Sequence, residues 1–160
     1  MNLDAQIRSL VENAPQDGTT PRLVEAVAPA MKALAGQLRH EQYYVLQSSQ
    51  GQWRVTALSN RDRPDLEKTV IYAFPSLQDA QNAARSPETS PAVVAVPLPV
   101  THILFQMMAF KTVDSLIFFE TPGNLQQGAE VHNADLQKLV NDSLGQYFDT
   151  RTNRIPPNMA

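Results

Sequence analysis

The three histidines are the side chains best suited to metal binding or proton transfer, and they lie far apart, at His40, His102 and His132. A zinc site needs ligands at short spacings, such as His-x-x-x-His or a pair of nearby cysteines. The sequence has no such histidine pair, and it contains no cysteine. It therefore predicts no bound metal and no cofactor.

His102 is the histidine with the most distinctive surroundings. It follows Pro-Val-Thr at the predicted start of an apolar helix, where the helix N-terminus favours a neutral imidazole. Together with Gln106 and the nearby strand ends, it could form the site of a small-molecule-binding protein or an enzyme. The alternative is a structural histidine held by a hydrogen bond near a helix start, and this interpretation is favoured.

Sequence signatures of nucleophilic catalysis and of nucleotide binding are missing. No Gly-x-Ser-x-Gly elbow occurs, and a chain without cysteine has no thiolate nucleophile. The six glycines are too widely spaced for a phosphate-binding loop or a dinucleotide-binding turn. These features favour a protein that is not an enzyme.

A charged loop at residues 59–68 is a candidate docking surface. Acidic and basic side chains interleave there, and such charges usually neutralise one another in solvent. However, Arg61 and Arg63 follow a predicted strand that carries Trp53. Arginine and tryptophan often dominate the binding energy of protein interfaces, so this loop could contact a protein partner.

The most apolar segment, residues 97–110, has no polar face, although a helix at the protein surface normally has one. A short helix between two buried strands is naturally enclosed, so we expect Leu104 or Phe105 to be buried in the core. The alternative is that part of the segment serves a partner. In that case a groove or ligand pocket would be formed by Met107, Met108 and Phe110.

The composition is that of a single folded domain. The chain has 160 residues, 42% of them hydrophobic, with a net charge of −3, so it can bury a core but has no positive field to attract nucleic acid. The N-terminus lacks the basic start and apolar run of a secretory signal, and no apolar stretch reaches the roughly 20 residues of a membrane span. We expect a cytoplasmic protein.

Hydrophobic periodicity predicts an α+β fold with a mixed sheet of about five strands, preceded by an N-terminal helical pair. One domain is expected over residues 1–150, with residues 1–38 as a helical arm and residues 151–160 as a flexible tail. The apolar stripe of the second helix should cover the sheet, and the alternative is that it binds another chain. Strands are predicted at 43–47, 53–58, 69–74, 92–96 and 115–119, the first two as a hairpin, and the last helix begins at Asn133.

Four stretches resemble an uncharacterised family of cyanobacterial proteins: NAPQDGTTP (13–21), VIYAFPSLQDA (70–80), VAVPLPVTHILFQ (94–106) and DSLIFFETPGN (114–124). The resemblance spans most of the chain. It implies a cytoplasmic protein of a photosynthetic bacterium, linked to the photosynthetic apparatus, and it carries no catalytic residues.

Two further likenesses concern the fold. The strand ending at Phe74, the helix with Asp79 and Ala80, the Val-Pro-Leu strand and the following apolar helix are similar to one half of the Tic-type import chaperones. The final strand, turn and helix are similar to SseB-type domains. A shared fold does not determine a function.

The leading hypothesis is therefore a non-enzymatic protein-binding or assembly protein, because chemical signatures are missing while apolar and aromatic residues are plentiful. The alternative is a small-molecule-binding protein or enzyme with its site near His102. A closed, polar-lined pocket at His102 would favour the alternative, and an exposed apolar patch would favour the leading hypothesis.

Overall fold

The structure, a computed structural model, describes residues 2–14, 20–59, 67–85, 93–110 and 112–152. It confirms the predicted α+β fold with an N-terminal helix pair. The helices are α1 (Leu3–Asn13), α2 (Thr20–Gly36), α3 (Leu77–Ala84), α4 (Val100–Met107) and α5 (Asn133–Thr152). The strands are β1 (Gln42–Ser48), β2 (Thr56–Ser59), β3 (Glu67–Phe74), β4 (Val93–Pro99), β5 (Ser115–Thr121) and β6 (Asn124–His132).

The strands form one mixed sheet in the order β4-β1-β3-β5-β6, with β2 also pairing with β3. The central pair, β3 and β5, is parallel, and the other pairs are antiparallel. Thr69 and Asp114 connect β3 and β5 where their parallel pairing begins. The Asp114 carboxylate accepts a hydrogen bond from the Thr69 amide at 2.9 Å. The Asp114 amide in turn donates to the Thr69 carbonyl at 2.9 Å.

Alternate side chains along each strand divide the sheet into two apolar faces. The covered face packs against α2, α4 and α5, and its buried side chains are Tyr43, Val45, Ile71, Ala73, Leu116, Phe118 and Val131. The opposite face, here called the groove face, packs against α3, and its apolar side chains include Tyr44, Leu46, Tyr72, Phe74, Ile117 and Phe119. The core therefore lies mainly on one side of the sheet.

Tyr43 is the largest fully buried side chain of the covered face. Its hydroxyl accepts a hydrogen bond from the His40 amide at 3.3 Å, and its ring meets Phe118 edge to face with centroids 4.9 Å apart. Because burial disfavours the charged phenolate, it raises the pKa of Tyr43 to about 12. The strand therefore carries a phenol that stays neutral far into the alkaline range.

The N-terminal helices belong to this core. Val27, Met31 and Ala35 of α2 are buried against the covered face, which confirms that the apolar stripe of the second helix covers the sheet. Gln6 of α1 is 1% exposed. Its side-chain oxygen accepts from the amide and the hydroxyl of Thr101, at 3.1 and 2.7 Å, so α1 is tied to the first turn of α4.

The predicted hairpin of residues 43–47 and 53–58 forms only beside its turn, and the rest of the second run pairs with another strand. Only one bridge, Gln47 with Trp53, joins the two runs, after which β2 pairs with β3 from Thr56 opposite Val70 to Ser59 opposite Glu67. All seven residues of β1 pair with β4. The first half of β3 instead takes its hydrogen bonds from β2, which satisfies backbone groups that β1 leaves unpaired.

The sheet gains a strand, β6, that the sequence pattern did not predict. Six of its nine residues are exposed, and only Ala129 and Val131 turn apolar side chains toward the core. Such a polar run lacks the regular alternation by which a strand is recognised. It is held instead by its ladder with β5, from Ser115 opposite His132 to Thr121 opposite Asn124.

The described part of the chain contains no helix both long and apolar enough to cross a membrane. The last helix, α5, runs to Thr152, so the first two residues of the predicted tail at 151–160 are helical. Residues 153–160 lie outside the described residues.

Candidate functional site

Strands β1 and β3 pair over a short stretch and then separate. A groove lies beside this point on the groove face of the sheet. β1 pairs with β3 only at Tyr44 and Val45, and farther along the strand Gln47 bridges to Trp53 instead. The chain turns back at Gly51, which has a φ of +82° that favours glycine. The Arg54 amide then donates to the Leu46 carbonyl at 2.9 Å. A space opens on the groove face where β1 and β3 separate, and side chains of β1, β2 and β3 line it.

This space, here called the aromatic groove, has a volume of about 460 Å³ and is open to solvent. A cavity of that size falls within the range of ligand-binding sites. Most of its lining is aliphatic or aromatic. The lining residues are Leu46, Arg54, Thr56, Ala57, Leu58, Tyr72, Phe74, Ala83, Phe119 and Leu125.

Three stacked rings form the floor of the aromatic groove. The ring of Phe119 lies 5.4 Å from that of Tyr72 and 5.6 Å from that of Phe74, with interplanar angles of 21° and 29°. These separations are typical of favourable offset stacking. Because the rings support one another on adjacent parallel strands, the floor is formed before any ligand arrives.

Gly128 leaves space for the ring of Phe119, which stacks with both of the other rings. It lies opposite Phe119 on β6, and a Cβ atom there would lie 3.3 Å from the Phe119 ring and 3.0 Å from both the Ile117 side chain and the Phe118 carbonyl. An aromatic ring packed over a strand glycine is a recognised way of stabilising a sheet near its edge. The glycine therefore allows Phe119 to lie flat in the floor.

Arg54 is the one charged side chain among the described residues that line the aromatic groove. It is half-buried, and its Nη1 donates to the Ala83 carbonyl at 3.4 Å. Ala83 lies in the last turn of α3, where the partial negative charge of the helix end attracts a cation. The guanidinium is thus anchored at the boundary between α3 and the groove.

Two leucines form the exposed edges of the aromatic groove. Leu58 is 39% exposed and Leu125 is 40% exposed, and they reach the groove from β2 and from the beginning of β6. Large apolar side chains that surround an apolar cavity are typical of interaction sites, because their exposure is unfavourable in water. The groove and its edges therefore present apolar side chains to solvent.

A polar cluster on the groove face contains Ser115, Glu130, His132 and Lys68. The Ser115 hydroxyl donates to the Glu130 carboxylate at 2.6 Å and lies 3.3 Å from His132 Nδ1. Lys68 also pairs with Glu130. The hydrogen bonds from Lys68 and then from Ser115 lower the pKa of Glu130, since both favour the charged carboxylate.

This cluster has the residue types of a serine hydrolase triad but not its geometry. Ser115 is fully buried, so no substrate carbonyl can reach its hydroxyl. The single proton of that hydroxyl is donated to Glu130 rather than to the imidazole, whereas a nucleophilic serine must give its proton to the histidine. The cluster joins β3, β5 and β6 and acts as a structural network.

The residues that the sequence suggested near His102 lie on α4, away from the groove. His102 is half-buried, and its Nε2 lies 3.2 Å from the Gln6 carbonyl, as expected of a structural histidine. Gln106 is exposed. Met107 is fully buried in the core, as is Leu104, so Met107 offers no surface to a partner.

Trp53 and Phe110, two other candidates, pack against each other with ring centroids 5.5 Å apart and an interplanar angle of 55°. Both are half-buried against the main core, as is Met108. Arg61 and Arg63 lie outside the described residues. The structure therefore does not bring the described candidates together in one site.

Sequence reasoning missed the aromatic groove, although part of its signal was present. Tyr72 and Phe74 alternate with Ile71 and Ala73 in β3, so the strand is apolar on both sides. That pattern normally indicates burial on both faces. What the pattern does not show is that α3 covers only part of the second face.

The described residues contain no group of three or more histidine, aspartate or glutamate side chains that could hold a metal ion. A scan against protein-family models finds no matching family. A search of curated proteins also finds no significant relative.

Proposed function

We propose that this protein is a non-enzymatic binding protein that holds a segment of a protein partner in the aromatic groove. The observation that carries the proposal is the groove itself, a preformed aromatic floor between exposed leucines. Apolar anchor side chains that enter such pockets supply most of the binding energy in protein interfaces.

The shape of the groove supports a protein segment as its occupant. It is open to solvent rather than enclosed, and its edges come from β2 and β6, on either side of the central pair. A peptide can lie across such a surface and insert one or two side chains. The resemblance to a cyanobacterial family adds the proposal that the partner belongs to the photosynthetic apparatus and that both are cytoplasmic.

The alternative, a small-molecule site or enzyme near His102, has less support. The imidazole Nε2 is within hydrogen-bonding distance of the Gln6 carbonyl, and the side chains next to it on α4 are buried against the core. A candidate acid or base must be able to reach a substrate proton.

Site-specific photocrosslinking tests the proposal. A photoreactive amino acid at Leu58, on the edge of the groove, should crosslink to a partner in lysate of the native cells. Leu23 is the matched control, since it is 36% exposed against 39% for Leu58 but lies on α2, away from the groove. A photoreactive residue at Leu125 in a Leu58→Asp background should lose its crosslink, because docking would have to remove water from the new carboxylate.

Crosslinks support the proposal only if they form from Leu58 and Leu125 rather than from Leu23, and only if Leu58→Asp abolishes the crosslink from Leu125. Equal crosslinking from Leu23 and Leu58, or a Leu125 crosslink that survives Leu58→Asp, would show that the captured protein binds elsewhere. An absence of crosslinks from both groove positions would also contradict the proposal.

A further inference from the structure

We infer that the protein segment held in the aromatic groove carries a carboxylate beside a large apolar side chain, and that this carboxylate pairs with Arg54. The inference rests on the proposed function, because it describes the chemistry of the partner at the same groove. It follows from the charge, position and hydrogen bonding of Arg54.

The groove presents a positive charge without a described counter-ion. Arg54 makes no ion pair with another described residue, and no carboxylate occurs among the described residues of the lining. A charge next to apolar walls is less well screened than one in open solvent. The groove therefore repels a cationic segment and attracts an anionic one.

The contact with α3 determines the side from which an anion can approach. The carbonyl of Ala83 already receives Nη1 of Arg54, and the last turn of a helix carries partial negative charge that repels a carboxylate. The guanidinium has five N–H donors in a planar fork. An incoming carboxylate consequently meets the donors that face the groove.

The other residues that line the groove favour an apolar side chain beside that carboxylate in the partner. The stacked rings of Tyr72, Phe74 and Phe119 lie in the floor of the same groove as Arg54. They offer contact area for an aromatic or aliphatic side chain and no second charge. An acidic residue next to phenylalanine or leucine in the partner satisfies both features at once, and the arginine fork can bind its carboxylate through two hydrogen bonds.

A random peptide library displayed on phage and selected on the full chain tests the inference. The expected result is enrichment of peptides in which Asp or Glu lies within two residues of Phe, Leu or another large apolar residue. For the strongest peptide, replacing its acidic residue by the amide should weaken binding about tenfold, since a charge-assisted pair is lost. The same replacement should change binding to Arg54→Gln less than twofold.

Arg54→Lys is the matched variant, because it keeps the charge and loses the fork. It should retain part of the preference for the acidic peptide. The thermal midpoint of each variant shows whether the end of α3 is intact, and a selection repeated on Arg54→Gln should enrich apolar peptides without acidic residues.

The outcomes separate the two proposals. Apolar peptides that bind the groove without an acidic preference, or an acidic preference that survives in Arg54→Gln, would overturn the inference and leave the proposed function standing. Peptides whose binding is unaffected by Leu58→Asp would show that the groove is not the binding site, and both proposals would fail.

Discussion

The two faces of the sheet have similar apolar side chains but very different cover. The covered face lies under α2, α4 and α5, and its residues are almost completely buried. The groove face has one helix of eight residues, α3, which places Ala80, Ala83 and Ala84 against the strands. Alanine covers little area, so the stacked rings beyond α3 remain accessible.

The comparison shows that apolar content alone does not indicate which part of a sheet is core. Both faces display aromatic residues, and both contribute to apolar alternation in β3 and β5. What differs is the size of the side chains that the helices bring to them. Substitutions on the two faces should therefore have different effects on folding and on binding, which can be tested directly.

Removal of the two N-terminal helices, α1 and α2, should have the largest effect. Deletion of residues 1–38 removes Val27, Met31 and Ala35 from the covered face and exposes the core beneath them. We expect a remnant that aggregates and binds hydrophobic dyes. Circular dichroism with thermal unfolding checks this. A remnant that stays monomeric and unfolds cooperatively would show that the arm is not required for the fold.

Truncation of a core leucine should cost more than truncation of a groove leucine. Leu104 is fully buried, whereas Leu58 is 39% exposed. We expect Leu104→Ala to lower the free energy of unfolding by about 2–5 kcal/mol through cavity formation, and Leu58→Ala by less than about 1 kcal/mol. Urea denaturation measures both values. A loss below about 0.5 kcal/mol for Leu104→Ala would contradict its place in the core.

The covered face should also give the protein a specific alkaline sensitivity. The pKa of Tyr43 is raised from 10.0 to about 12, so the folded state keeps a proton that the unfolded state loses above pH 10. The associated stability is present below pH 10 and is lost as the pH rises toward 12, by about 2–3 kcal/mol. Denaturation at a series of pH values should show this loss.

The Tyr43→Phe variant should lack that component of the pH dependence. Tyr44→Phe is the matched control, since it removes a hydroxyl at the adjacent position, which belongs to the groove face. If the profile of Tyr43→Phe matched that of the native chain between pH 10 and 12, the buried hydroxyl would not be its cause.

Two glycine substitutions should have effects of opposite sign. Gly128→Ala places a methyl group against Phe119 and against a backbone carbonyl 3.0 Å away, so we expect a loss of about 1–3 kcal/mol. Gly145→Ala in α5 meets nothing within 4 Å and should add about 0.5–1 kcal/mol through helix propensity. Thermal unfolding of both variants checks the comparison, and a neutral Gly128→Ala would mean that the floor repacks freely.

Much of the fold could be predicted because local patterns and tertiary packing agree there. The stripe with Val27 and Met31 in α2 and the buried residues of α4 have the periodicity of helices that face a core. Ser76 caps the start of α3, because its hydroxyl accepts from the Asp79 amide at 3.2 Å. In these segments the sequence alone carries the structural information.

Strand pairing and the site could not be predicted because they depend on distant partners. Whether Thr56 pairs with β1 or with β3 is decided by which strand has unpaired backbone groups, a property of the whole sheet. The aromatic groove combines Leu46, Tyr72 and Phe119 with an arginine from the connection after β1. No spacing in the sequence indicates that these residues meet.

The contact between Thr69 and Asp114 has a consequence for folding kinetics. The two residues are 45 positions apart, and they lie at the start of the parallel pair β3 and β5, in the middle of the sheet. The chain must bring these distant segments together, at the cost of loop-closure entropy, before the central strands can pair. We therefore expect the local helices to form early and the β3–β5 pairing to limit the folding rate. The stacked rings on those strands, and with them the aromatic groove, would be completed only after that step.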